Sequence, residues 1–387
     1  MNVTRRSFLG AALLSPVLAQ VGRVDAQLVG VVPLSGPGGA SPAPFGRLLG
    51  DGLDARLFTD LSVIRHPPAA VGNREFFVRT AYPRTLRETD PWTLRVGGLV
   101  EQAVALTLRD LDPLVTSGGR YLLECSGNSD PSNFGLISTA DWEGVPLAAL
   151  LDRVKPSSGA SRVMVSGVDD MAATPRTSVP GASWIFTRDE LQRAMLAVRM
   201  NGAPLPRGHG SPIRLIVPGW YGCSCIKWVD RIELVADEAP ATTQMQEFAA
   251  RTHQPFDSRE IASSLRAGTA LLARDFIPAV IDTAAMPVRV EKWLVDGRIT
   301  YRITGIIWGG SKPTNALSIR FKASEPWVRV DDCAMPASTL TWSLWSHTWR
   351  PSLPGRYQIV LRVDDPAIRT RRLDLFFYVR EVQIDDV

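Results

Sequence analysis

One cysteine stands where a side chain could be presented to a ligand. Cys125 closes the apolar run in "LLECSGNSD", Leu122 to Asp130, and the small-residue turn Ser126-Gly127-Asn128 follows directly. A thiol in that position can be a core group, half of a disulfide, or a ligand, since thiolate is a soft donor suited to redox-active metals. A turn of small residues lets a bound group approach the backbone closely. Further along, "RGHGSPIRLIVPGWYGCSCIKWVDRIEL" sets His209, Arg214, Cys225 and Lys227 in one stretch. Arg214 interrupts the apolar segment "PIRLIV", where a charge requires a partner, and a bound phosphate would serve. Read as a strand, "CIKWVDRIELVAD" puts Cys225 and Lys227 two apart and on one face.

The other cysteines narrow the chemistry. Cys223 and Cys225 form C-x-C, and a disulfide across one residue is strained, so packing against the core or a bound group is expected. The chain has four Cys, four His and no CxxC, which leaves no zinc-type ligand set. Four cysteines in 387 residues do not make a disulfide scaffold either. Cys333 carries no assignment, and His347 reads as structural. Trp342, Trp345 and Trp349 read as core and dimer surface.

The elements that must position these residues are mixed at first and all-β later. "PWTLRVGGLV" and "RYLLEC" read as strands ending in turns. "TRDELQRAMLAVRMNG" predicts a helix, with a Thr187/Glu190 capping box, one face of Leu191, Ala194, Met195 and Val198, and an Asn201-Gly202 stop. "SPIRLIVPGW" and "CIKWVDRIELVAD" predict two strands around a Gly-Trp-Tyr-Gly turn. Residues 239–285 show weak periodicity. From about 286 the pattern is strands only, spaced as in an antiparallel sandwich. Residues 28–50 are Gly/Pro/Ser-rich, and their "GPGG" lacks the Lys-Ser/Thr of a phosphate loop.

Composition excludes several classes. With 45% hydrophobic and 21% charged residues the chain is globular rather than disordered. The N-terminal "TRRSFLGAALLSPVLAQVGRVDAQ" has the paired arginines and short apolar run of a twin-arginine export signal, with small-residue cleavage sites after Ala19 or Ala26. No longer apolar run follows, so no membrane span is expected in the mature chain. The net charge of +4 falls to about +2 without Arg5, Arg6, Arg23 and Asp25, which is no nucleic-acid footprint. Five of the 43 basic residues are Lys; the Arg excess suits bidentate oxyanion binding or reflects GC-rich coding.

Taken in order, "FFVRT", "LLECSGN", the "HGSPIRLIVPGWYG…KW" run and "WSLWSHTWRP" resemble the sulfite oxidase family of molybdopterin enzymes over roughly residues 70–385. The resemblance implies an α+β chain: a mixed α/β molybdopterin domain followed by an immunoglobulin-like dimerisation sandwich. Its parts would be a signal peptide at 1–26, a leader at 27–69, the cofactor domain at 70–240, a connection at 241–285 and the sandwich at 286–387. It implies Cys125 as the molybdenum ligand and molybdopterin as cofactor. Cofactor contacts would come from the backbone of Phe77, Val78, Arg79, Thr80 and Ala81, from Asp169 (or its neighbour Asp170), and from His209, Arg214, Cys225, Ile226 and Lys227. Arg79 would also steer an anionic substrate.

The same family comparison exposes departures. Thr80-Ala81 stand where Asn-His is usual, Ser129-Asp130 where animal enzymes have Arg-Arg, and Phe248 near the active-site Tyr. A late Arg falls at Arg371 or Arg372. If Asp130 lined the pocket, its charge would oppose a doubly charged sulfite, since a unit pair at ~4 Å is worth ~4 kcal/mol at an effective dielectric of ~20. The expected activity is periplasmic oxidation of sulfite or a related sulfur compound. No haem motif is present, so the electrons would leave to a separate carrier; the resemblance to exported relatives implies a c-type cytochrome for that role, and a homodimer or heterodimer. S-oxide reduction with the same cofactor, or a non-catalytic binding subunit, are the alternatives.

Overall fold

The computed structural model describes residues 26–39, 44–65, 68–84, 86, 91–131, 134–169, 171–172, 180–256, 258–269 and 271–387. The export signal and Asp170 lie outside them. The cofactor-domain segment builds two sheets. In one, Ser183–Thr187, Arg162–Gly167, Val229–Val235, Thr93–Gly98 and Val104–Thr107 lie side by side, with Val229–Val235 parallel to Thr93–Gly98. In the other, Thr116–Glu124, Ile137–Pro146, Met195–Met200 and Ala203–Pro204 are neighbours, and Arg214–Ile216 also pairs with Met195–Met200.

Two further five-stranded sheets face each other as the sandwich. Trp349 of one sheet stacks on Phe321 at 4.1 Å and meets Tyr357 of the other edge-on at 4.8 Å. Trp342, Trp345 and Trp349 are all buried, so the tryptophan stripe is core rather than surface. The mixed α/β domain followed by a sandwich agrees with the expected fold class. Among the described residues, no helix is long and apolar enough to cross a membrane.

Three local expectations give way to tertiary structure. The helix predicted from Thr187 does not form. Its capping box does: Glu190 N donates to Thr187 Oγ1 at 3.2 Å and Thr187 N to Glu190 Oε2 at 2.7 Å. That box closes only a 3-10 turn, Asp189–Leu191. Met195–Met200 is instead a strand, bonded to Ile137–Pro146 on one side and Arg214–Ile216 on the other. Asn201-Gly202 is its hairpin turn, with φ of 53° and 74° and Met200 opposite Ala203. Both residues at positive φ define the Asn-Gly hairpin signal, which serves equally as a helix stop when read alone.

The segment from 27 to 69, read as an extended leader, is partly built into the sandwich. Ala26–Val32 pairs with Ala284–Val295, and Leu34–Ser35 with Arg380–Ile384. Finally, the strand expected across "RLDLFFYVREVQI" begins only at Arg380. Residues 375–379 wind through turn hydrogen bonds, Tyr378 N to Leu375 O among them. That detour carries Arg371 and Tyr378 back to the cofactor domain.

Candidate active site

Cys125 sits just past the end of Thr116–Glu124 and is 8% exposed. Its turn is locked by Asn128, whose Oδ1 accepts Leu136 N at 3.1 Å and whose Nδ2 donates to Phe134 O at 3.1 Å. Gly127 N donates to Cys125 Sγ at 3.3 Å. The C-S-G-N sequence therefore aims a thiol and closes the loop behind it. Gly222 lies alongside, its N donating to Glu124 O at 2.7 Å. Burial pushes the Cys125 thiol up, opposed first by Arg79, then by Gly127 N–H and by Arg251.

The thiol opens on a cleft of about 790 Å³. Phe77, Arg79, Thr80, Asp169, Arg214, Cys225, Ile226 and Lys227 all line it. Lys227 is not on the strand expected for it, because regular pairing starts at Val229. Its Nζ reaches back to Thr80 O and Gly208 O at 2.8 Å and Arg79 O at 3.2 Å. Lys227 thus ties the 77–81 and 207–210 segments together, and burial, then Arg214 and Arg79, hold its pKa well below the ordinary lysine value. Thr80 has φ 76°, rare for a β-branched residue. Gly210 has φ 111°, which disfavours any side chain, and a Cβ there would lie tightly, 3.1 Å from that of Lys227. Asp169 Oδ2 accepts Gly181 N at 2.5 Å.

Arg214 is 3% exposed and makes no ion pair among the described residues. Its Nη1 donates to His209 O at 3.2 Å, and its Nε is buried without a partner. Burial lowers its pKa to about 10, with Cys225 opposing. A buried guanidinium with a spare donor, on the wall of a cleft, fits an anionic phosphate. A buried thiol on the same cleft fits a soft metal.

The remaining named residues lie behind this wall. Val78 pairs with Leu57, and Ala81 N donates to Gly52 O at 2.8 Å. His209 is buried, with Nε2 2.9 Å from Asn73 O and Nδ1 lacking a partner among the described residues. Burial, then Lys227, bring its pKa down to about 3, so the ring is neutral. Cys223 and Cys225 are free thiols; Cys225 Sγ accepts Val217 N at 3.4 Å.

A second cavity, about 1000 Å³, lies on the far side of the Cys125 turn, between the two domains. Arg251 and His253 line it and escape a reading of the sequence for motifs. The signal for Arg251 is local: Phe248 ends the short helix Thr243–Glu247, and Arg251, three residues on, lies 5.4 Å over its ring. Arg251 Nη1 stands 3.3 Å from where a Cβ of Gly127 would be. Of the two late arginines, Arg371 is buried against Glu124, while Arg372 is exposed and pairs with Asp374. Asp130 does not line either cavity. It faces Arg380, a buried guanidinium whose pKa burial lowers to about 10 with Asp130 opposing. The expected penalty of Asp130 on an anion in the pocket therefore does not arise.

A cleft built around a thiol and an unpaired buried guanidinium, on this mixed fold, defines a cofactor-binding domain, and known proteins agree. Residues 80–243 match the oxidoreductase molybdopterin binding domain. The chain is 27% identical over 317 residues to sulfite oxidase of Gallus gallus, covering 76% of this chain and 66% of that one. It is 28% identical over 263 residues to mitochondrial sulfite oxidase of Mus musculus, covering 62% and 47%. Against the NADPH nitrate reductase of Beauveria bassiana it is 32% identical over 162 residues, covering 38% and 18%. It thus matches less than two thirds of the length of these relatives. The crystal structure of the sulfane dehydrogenase SoxCD from Paracoccus pantotrophus superimposes with a TM-score of 0.62 at 18% identity, covering 90% of each chain. Residues 80–243 thus form an oxidoreductase molybdopterin binding domain similar to that of the sulfite oxidases, and the cofactor is molybdenum carried by molybdopterin.

Proposed function

We propose that the chain is a molybdenum-dependent oxidoreductase that oxidises sulfite or a related reduced-sulfur compound and passes electrons to a c-type cytochrome. The carrying observation is the Cys125 thiol at the end of its strand, opening on a cleft that Arg79, Arg214 and Lys227 also line. When bound, the cofactor supplies oxygen-atom transfer and takes up two electrons. Cys125 holds the metal, and Arg214 receives the anionic part of the cofactor. Arg79 and Arg251 lend positive potential to the region around Cys125, which draws an anion toward it. The paired arginines at the N-terminus support export to the periplasm, and the sandwich supports dimerisation. The names of the relatives, sulfite oxidase and sulfane dehydrogenase, support a sulfur substrate.

Phe248 favours a second reading. It lines the cleft without bringing a hydroxyl to it, which suits reduction of an S-oxide on the same cofactor. One set of assays separates the readings. Protein from a cofactor-competent host is expected to hold close to one molybdenum per chain and to reduce cytochrome c with sulfite or another sulfur oxyanion. Cys125→Ser is expected to lose about three orders of magnitude of that rate. Native turnover by Cys125→Ser would sink the ligand assignment. Sulfoxide turnover without sulfite turnover would favour the second reading, and a metal-free, pterin-free chain a non-catalytic subunit.

A further inference from the structure

The residue before the metal-ligand cysteine is held by the other domain. Glu124 is 1% exposed, and its carboxylate accepts Arg371 Nη1 and Nη2 at 2.7 Å each. Its Oε2 also accepts Trp308 Nε1 at 2.8 Å. Arg371 Nη1 meets Tyr378 OH at 2.8 Å, and the guanidinium lies 5.2 Å over the Tyr221 ring. Arg371, Trp308 and Tyr378 all come from the last hundred residues, 247 positions from Glu124 in the case of Arg371. The Nη1/Nη2 fork of Arg371 is closed on a carboxylate and so is not open to a substrate oxyanion, and its Nε, which has no hydrogen-bond partner among the described residues, is buried.

We propose that Arg371 is a positioning residue: acting through Glu124, it lets the second domain fix the direction in which Cys125 presents its thiolate, and it does not bind substrate. The inference rests on Cys125 being the metal ligand. Removing either charge leaves its partner buried and unpaired, whereas removing both does not. The two functions proposed for an arginine here therefore give opposite patterns across a double-mutant cycle.

The test uses full-length Glu124→Gln, Arg371→Gln, the double variant Glu124→Gln/Arg371→Gln and Arg371→Lys. Each is measured loaded and cofactor-free. In loaded protein, the Mo(V) paramagnetic resonance spectrum reports ligand geometry, and steady-state assays separate kcat from KM. In cofactor-free protein, iodoacetamide labelling of Cys125, read by peptide mass spectrometry, reports how firmly the thiol is held.

Both single Gln variants are expected to shift the resonance spectrum and lower kcat about tenfold, with KM nearly unchanged. Cys125 labelling should accelerate by about the same factor. The double variant should be no worse than either single, and Arg371→Lys should rescue in part. A KM rise of about 100-fold in Arg371→Gln with an unshifted spectrum would overturn the proposal, as would tighter anion binding in Glu124→Gln. If the singles fail to fold, an unshifted spectrum and native labelling rate in the folded double variant overturn it too. Wild-type protein without molybdenum would instead sink the functional reading, and the labelling rates would then decide the clamp alone.

Discussion

The two cavities flanking the Cys125 turn treat positive charge in opposite ways. In the cofactor cleft Arg214 is buried without a carboxylate, and Lys227 is bonded to three carbonyl oxygens. In the cavity between the domains, Arg371 pairs with Glu124, Arg369 with Asp282 and Arg372 with Asp374. Burying a charge without a counter-charge is costly, so a fold keeps one only where something anionic arrives. Paired arginines serve the scaffold; the unpaired one marks where a ligand completes the structure. Arg251 is the exception in the second cavity, an arginine with no ion pair among the described residues, and it stands beside Gly127.

That contrast can be broken most sharply by one substitution made on each side. In cofactor-free protein, Arg371→Met should destabilise by about 3–5 kcal/mol, because Glu124 is left buried and alone. Arg214→Met should be neutral or stabilising by about 1–2 kcal/mol in the same state, while molybdenum content falls in loaded preparations. Denaturant unfolding measures both, and equal losses would erase the distinction.

Acid should expose the cost of the neutral His209. Its folded pKa of about 3 lies below the ordinary 6.5, so the unfolded chain binds the proton first. Stability from this group is fully present above pH 6.5 and is lost as pH falls toward 3. The slope is about 1.4 kcal/mol per pH unit. His209→Gln should flatten the unfolding profile over that window; an unchanged slope would place the acid sensitivity elsewhere.

A smaller effect is expected at Arg251. Arg251→Gln should raise KM for an anionic substrate about tenfold and weaken its salt dependence, with kcat little changed. Least of all, Asp130→Asn should alter KM by less than about twofold, since Asp130 lines neither cavity and its charge is opposed by Arg380. A tenfold gain in sulfite affinity from Asp130→Asn would restore that aspartate to the pocket.

Much of the cleft could be read from order and type of residue. Cys125 reads as a strand end before a turn, Arg214 and Lys227 as strand residues, and Arg79 as part of a cofactor-contacting stretch; all four line one cleft. The misreadings have a shared cause. Asn201-Gly202 and the Thr187/Glu190 box are local signals that fit two structures, and sheet pairing of Met195–Met200 decides between them. Pairwise facts were equally hidden. Nothing in "RTRRLDL" says that Arg371 turns inward to Glu124 while Arg372 stays in solvent, because that choice is made by turns after residue 372. Arg251 was invisible for the same reason: its neighbour is Gly127, more than a hundred residues away.

The pairing of Ala26–Val32 with Ala284–Val295, and of Leu34–Ser35 with Arg380–Ile384, has an architectural consequence. Strands from both ends of the described chain close the same sandwich, so the cofactor domain is a long insertion between its first strands and the rest. Contacts of that sequence separation form late and slowly. On that basis the sandwich is expected to be completed after the cofactor domain, and Arg371 to reach Glu124 only then. A chain with an unfinished sandwich would hold its cysteine loosely, so the seating of that thiol becomes a molecular sign that the whole polypeptide has folded.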